Sequence, residues 1–160
     1  MKIYKTMKYI LFLYIFFSFS ICCVAQSNKK PVTWDVTYAA TSANEGEIIY
    51  TATIDNNWHI YSQRPTDVGP IPTSFSVTPN AQIELIGKTQ EGQAHEEYVS
   101  AFDAKVFVFT DKAVFKQKIK RKNKETLTIH TSLEYMTCND KQCLPPTTLE
   151  FDVVIPPSSK

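Results

Sequence analysis

The chain has 160 residues, 43% of them hydrophobic, with 17 basic and 16 acidic side chains and four cysteines. That composition is too apolar for a disordered chain, too nearly neutral for a nucleic-acid binder and too poor in cysteine for a disulfide-built miniprotein. A single domain of ordinary size is the expectation.

Residues 1–25 read as a secretory signal peptide rather than as part of the fold. Lys2, Lys5 and Lys8 make a positive start, Tyr9 to Ile21 is almost unbroken apolar sequence, and Cys23-Val24-Ala25 offers small residues ahead of a cut before Gln26. The apolar run is short for a spanning helix, so the mature chain, 26–160, is expected to carry no membrane span. Lipidation at Cys22 or Cys23 is the alternative; Ile21 before Cys22 is not the small residue that such processing prefers. Loss of the leader removes two cysteines and three lysines. Cys138 and Cys143 remain, and 14 basic residues then face 16 acidic ones, a formal net of −2. Neither nucleic acid nor an anionic membrane is a natural partner for that balance. In an oxidising compartment an even pair of cysteines is expected to rest as a disulfide.

Ser27 to Pro31 reads as a short flexible leader and Pro156 to Lys160 as a frayed tail. Between them lies a series of strand signals separated by turns. Val32 to Tyr38 alternates, and Glu47 to Ile54 is β-branched and ends at the turn Asp55-Asn56-Asn57. Trp58-His59-Ile60-Tyr61 follows, then the proline-rich Arg64 to Pro72. Ser74 to Val77 and Ile83 to Ile86 are short strands around Pro79-Asn80. Ala104 to Phe109 and Val114 to Ile119 read as a hairpin about Thr110-Asp111-Lys112. Thr126 to Tyr135 is the longest expected strand and Thr148 to Ile155 the last. No window has the period of an amphipathic helix. Eight or nine short strands at this spacing predict an all-β chain, an immunoglobulin-like antiparallel β-sandwich.

The stretch Thr137-Cys138-Asn139-Asp140-Lys141-Gln142-Cys143-Leu144-Pro145-Pro146 carries the chemistry. A long half-buried strand delivers one thiol to its end, and a tight polar turn brings back a second. Two readings stay open. The pair is either a structural clip or a redox-active dithiol, and a loop this short would stabilise the fold by only about 2 kcal/mol as a clip. Met136 beside it offers a soft thioether for copper(I), but the loop supplies no third ligand. His59, His95 and His130 show no metal-ligand spacing, so neither a metal nor another cofactor is expected. His130 lies on the face opposite Leu127, Ile129 and Leu133 and should be solvated, whereas His59 is either a half-buried sheet histidine or a residue lining the site. The basic run Lys116 to Lys124 reads as a solvated strand edge and turn. No phosphate loop, serine-nucleophile motif or carboxylate dyad stands out. Gln90 to Phe102 connects strands yet carries Tyr98 and Phe102. Its rings either fill the core or form a flap over the thiols, where desolvation would suppress exchange with wrong partners.

The run Thr-Cys-(x4)-Cys-Leu-Pro-Pro closing a long strand resembles the active-site motif of the amino-terminal periplasmic domain of the thiol:disulfide interchange protein DsbD. The resemblance runs from about Trp34 to Ile155. It takes in Trp58-His59-Ile60-Tyr61, like that family's aromatic strand, and His95-Glu96-Glu97 through Phe109, like its cap-loop region. It implies an immunoglobulin-like sandwich passing electrons to thioredoxin-like periplasmic proteins, including isomerases and cytochrome-maturation thioredoxins. It also implies Cys143 as the cysteine forming mixed disulfides, Cys138 as its resolving mate, Phe102 as the cap ring and Tyr61 as a flanking aromatic. Ser100-Ala101 replace the family's acidic pair before the cap phenylalanine, which leaves Tyr98 as a rival, and the inter-cysteine loop is about one residue shorter. The family's transmembrane and thioredoxin-like domains have no counterpart in this sequence. The expectation is therefore a monomeric, stand-alone exported carrier fed by a separate membrane electron donor. An extracytoplasmic binding module with an inert disulfide and a copper(I)-handling module are the alternatives.

Overall fold

The computed structural model describes residues 30–65, 69–100 and 102–158. The expected signal peptide, with Cys22 and Cys23, lies outside these residues. In chain order the strands are β1 (Val32–Ala40), β2 (Glu45–Ile54), β3 (His59–Tyr61), β4 (Ser74–Val77) and β5 (Ile83–Glu91). They continue as β6 (His95–Val99), β7 (Ala104–Phe109), β8 (Lys112–Arg121), β9 (Leu127–Cys138) and β10 (Cys143–Ile155). They form the all-β antiparallel sandwich that the sequence predicts. One sheet runs β1-β2-β8-β5, and the other runs β10-β9-β3-β7-β6 with β4 also paired to β9.

Alternation explains why these segments pair where they do. In β2, Ile48, Tyr50, Ala52 and Ile54 are buried, while β8 buries Ala113, Phe115, Gln117, Ile119 and Arg121 and exposes Lys112, Lys116, Lys118 and Lys120. The period of two puts each apolar set on the face toward the other sheet. Aromatic rings fill the space between the sheets. Phe115 is fully buried, with its ring 4.8 Å from Phe75, 5.3 Å from Phe109 and 5.9 Å from Trp34 between centroids. Tyr50 crosses the core to give its hydroxyl hydrogen to Thr131, which in turn donates to the Ser76 carbonyl at 2.8 Å. Burial pushes the Tyr50 hydroxyl pKa up, so this donor stays protonated.

Three expectations about the strands are corrected. Residues 104–109 and 114–119 do not form a hairpin, because β7 belongs to one sheet and β8 to the other. Asp111, in the left-handed region at φ 59°, turns the corner, and its carbonyl accepts from Ile54 N at 2.8 Å. A short turn between two strands has the same sequence signature whether they pair or cross between layers. The basic run is likewise not an edge. β8 lies between β2 and β5, its lysines face outward, and Arg121 is buried, donating to the carbonyls of Asn123, Glu125 and Pro156. Finally, β10 starts at Cys143 rather than Thr148 and, at 13 residues, is longer than β9 at 12. Pro145 and Pro146 are tolerated because β10 is an outer strand and its register shifts between Leu144 and Thr147.

Because Phe115 sits where the aromatic rings of both sheets meet, Phe115→Ala should lower the stability of the oxidised protein by about 3–5 kcal/mol in urea unfolding. A loss below about 1 kcal/mol would show that the core lies elsewhere.

Candidate functional site

The site begins with the alternation of β9. Leu127, Ile129, Thr131, Leu133, Tyr135 and Thr137 are buried in turn along the strand, and Cys138 breaks the pattern as a second consecutive buried residue. Being one residue out of step, Cys138 shares the face of Met136, the side of the sheet away from the main core. There it belongs to a separate small apolar cluster with Tyr61, Val99, Val106 and Val108, against which Phe102, Ala104, Met136 and Cys143 pack. This cover leaves Cys138 only 1% exposed.

Cys143 lies directly across from Cys138 on β10, and the two form a disulfide with their Cα atoms 4.0 Å apart. The turn between them is held by Asn139. Its N–H donates to the Gln142 carbonyl, and its side-chain oxygen accepts from the N–H groups of Lys141 and Gln142, each at 2.9 Å. This is the side-chain-stabilised turn that asparagine forms readily. Cys143 is partly exposed, so the two sulfurs differ in access.

On the other side of β9, the residue opposite Cys138 is His59 of β3. A single row across three strands therefore reads Cys143, Cys138, His59. The Thr137 hydroxyl donates to the His59 carbonyl at 2.9 Å and pins β3 at this register. The His59 Nε2 is hydrogen-bonded to the Tyr61 hydroxyl at 3.0 Å. Burial is the largest influence on His59 and lowers its pKa; the Glu97 and Asp140 carboxylates pull it up, and His95 pushes it down again. The Tyr61 hydroxyl is held far above its ordinary range, first by burial and then by Glu97.

The stretch 90–102, expected as a connection between strands, is itself partly strand. β5 continues to Glu91, and β6 pairs with β7 from His95 to Val99; among the described residues of the stretch, 92–94, Ser100 and Phe102 lie outside the strands. The exposure of His95, Glu96 and Tyr98 hid this strand from alternation. Within the tip, Phe102 N donates to the Val99 carbonyl at 3.1 Å and Asp103 takes a left-handed φ of 50°. Phe102 meets Tyr61 edge to face, 6.2 Å between centroids. Tyr98 is 57% exposed and turns its hydroxyl to Asp103. Between this hairpin end and the cysteine turn lies a cleft of about 310 Å³, bordered by His59, Glu97, Tyr98, Asp140, Lys141 and Cys143.

The fold thus gathers Cys138, Cys143, His59, Tyr61, Phe102 and Tyr98 at one end of the sandwich. Thr137, Val106 and Val108 also build the site, and inspection of the sequence alone passes over them as ordinary strand residues. His130 is exposed and pairs with Asp152, far along β9 from the cysteines. Among the described residues, no three of histidine, cysteine, aspartate and glutamate are grouped to hold a metal.

The sequence profile of the family described as thiol:disulfide interchange protein DsbD, N-terminal, matches residues 29–155. The chain belongs to this family. No curated protein matches the sequence. Among solved structures, the chain is similar to the N-terminal periplasmic domain of ScsB from Proteus mirabilis, at 13% identity and a TM-score of 0.59 over 81% of this chain. It spans about half of that protein, 48%. The DsbD N-terminal domain of Neisseria meningitidis in its reduced form matches at 16% identity and a TM-score of 0.51, over 76% of this chain and 89% of that one. The complex between the DsbD and PilB N-terminal domains of the same organism matches at 13% and 0.53, over 85% and 95%. At these identities the likeness carries the immunoglobulin-like fold, and the profile match carries membership. This DsbD N-terminal domain is accordingly a thiol:disulfide interchange domain with a disulfide-forming cysteine pair, and no helix among its described residues is long and apolar enough to cross a membrane.

The buried imidazole has a consequence for stability. His59 has a folded-state pKa below its unfolded value, so the unfolded chain binds more protons at mildly acidic pH. Stability should be fully present above the ordinary histidine value of about 6.5 and fall as the pH drops toward the folded-state value. Urea unfolding of the oxidised protein from neutral pH downward should show this decline, and His59→Gln should flatten it. Equal slopes for the two proteins would contradict the assignment.

Proposed function

We propose that the domain relays reducing equivalents to oxidised thioredoxin-like proteins outside the cytoplasm, with Cys143 attacking and Cys138 resolving. The observation that carries this reading is the unequal access of two bonded sulfurs. Cys138 is sealed in the small cluster, while Cys143 borders an open cleft. In a dithiol carrier, one thiolate meets the partner's disulfide and the other then breaks the mixed disulfide, so one sulfur must be reachable and its mate must wait beside it. A clip has little to do here. β9 and β10 already pair from Cys138 back to Leu127, and the cross-link closes only a four-residue turn. The DsbD–PilB complex among the structural relatives supports a protein as the other party. The lysines and apolar run of residues 1–25 support export to the periplasm, with 26–160 as the mature domain.

Phe102 is the cap in this reading. It packs on the cysteine cluster against Tyr61, whereas Tyr98 projects into solvent. Phe102 stands outside the main core, so Phe102→Ala should leave cooperative unfolding largely intact while speeding alkylation of the reduced thiols by a bulky maleimide several-fold. Marked unfolding without faster alkylation would remove the cap role.

The cysteine roles separate in a trapping experiment. Mixed with an oxidised thioredoxin-like protein, Cys138→Ser should accumulate a covalent complex through Cys143 that dithiothreitol dissolves. Cys143→Ser should accumulate little. Equal trapping by both would defeat the assignment of roles, and trapping by neither would return the disulfide to a structural clip.

A further inference from the structure

We propose that His59 is the proton acceptor for Cys138 in the step that releases the reduced partner. The inference rests on the exchange reading above and concerns its second half. Once Cys143 is joined to a partner, Cys138 must lose its proton to attack, and its place in the fold, 1% exposed in the disulfide form, is walled by Tyr61, Val99, Val106 and Val108. Water cannot serve as the ready acceptor there. His59 can, because it is the residue directly opposite Cys138 on β3 and shares its face. Side chains so opposed have Cβ atoms about 4.5–5.5 Å apart, within reach of a direct transfer.

The surroundings suit the role. The Tyr61 hydroxyl holds the ring through Nε2, and Thr137 holds its backbone, so the imidazole is fixed rather than free to swing. Burial keeps it neutral and able to accept, while Glu97 from β6 and Asp140 from the cysteine turn favour the charged form it must briefly take; His95 from β6 opposes them. The two carboxylates border the cleft but are not in the row with Cys138. His59 also borders the cleft beside Cys143, where the leaving sulfur departs.

The step balances without a further reagent. The Cys138 S–H proton passes to neutral His59 as the sulfur's electron pair attacks Cys143 Sγ. The bond between Cys143 and the partner breaks, and the partner's sulfur leaves with that electron pair as a thiolate. The imidazolium then returns the proton to it. The cysteine pair is oxidised by two electrons, and the partner disulfide is reduced by the same two.

The test uses the mature reduced protein in excess over dithiobis-nitrobenzoate, an aromatic disulfide whose thiolate is coloured. Stopped flow separates a first release, on attack by Cys143, from a second, on attack by Cys138. In the wild type, the second-release rate should climb with pH through a titration below about 6.5 and then level. His59→Gln should lose that limb, and the ratio of its second to its first rate should fall at least about tenfold, the low end of what a positioned base supplies. His59→Asn, which alters the packing differently, should behave alike. Variants that slow both releases equally, or that keep the wild-type pH profile, would overturn the role of His59 alone. A wild type that never makes the second release would overturn the exchange reading and this proposal together.

Discussion

The register of β9 between β10 and β3 is the constraint on which the site depends. Antiparallel pairing places Cys143, Cys138 and His59 in one row, and the pleat sends that row to the face away from the main core. A slip of one residue would turn Cys138 inward among the aromatic rings and present Thr137 in its place. Side-chain hydrogen bonds resist such a slip: Thr137 to the His59 carbonyl at one end, and Tyr50 through Thr131 to the Ser76 carbonyl further along. The chemistry is therefore specified by the same ladder that specifies the fold.

Two apolar clusters divide the labour. The larger, between the sheets, contains Trp34, Tyr50, Phe109 and Phe115 and holds the sandwich together. The smaller, around Tyr61 and Val108, does little more than shelter one sulfur. The cysteine pair packs with the small cluster and not with the large one. The separation also explains how a disulfide near a buried strand end can open to a cleft. The sheet itself separates the cleft from the core, and the β6–β7 hairpin end borders the cleft.

Alternation in β2, β8 and β9, the scarcity of helical period and the polar turn between the cysteines made the sandwich and the cysteine pair legible from residues alone. These features are local, because each depends on neighbours within a few positions, and local preference is what a sequence displays directly. Family resemblance added Phe102, Tyr61 and the unequal cysteines as expectations, and in the structure these residues pack in one small apolar cluster, with only Cys143 of them bordering the cleft. What the sequence could not supply was pairing between distant segments. The corner at Asp111 has the same signature as a hairpin, β6 lacks an apolar stripe because its outer positions face solvent, and the prolines of β10 mask a strand that an outer position tolerates. The place of His59 beside Cys138 belongs to this second class. Nothing near either residue announces the other, and only the closing of β3 against β9 brings an imidazole to a buried thiol.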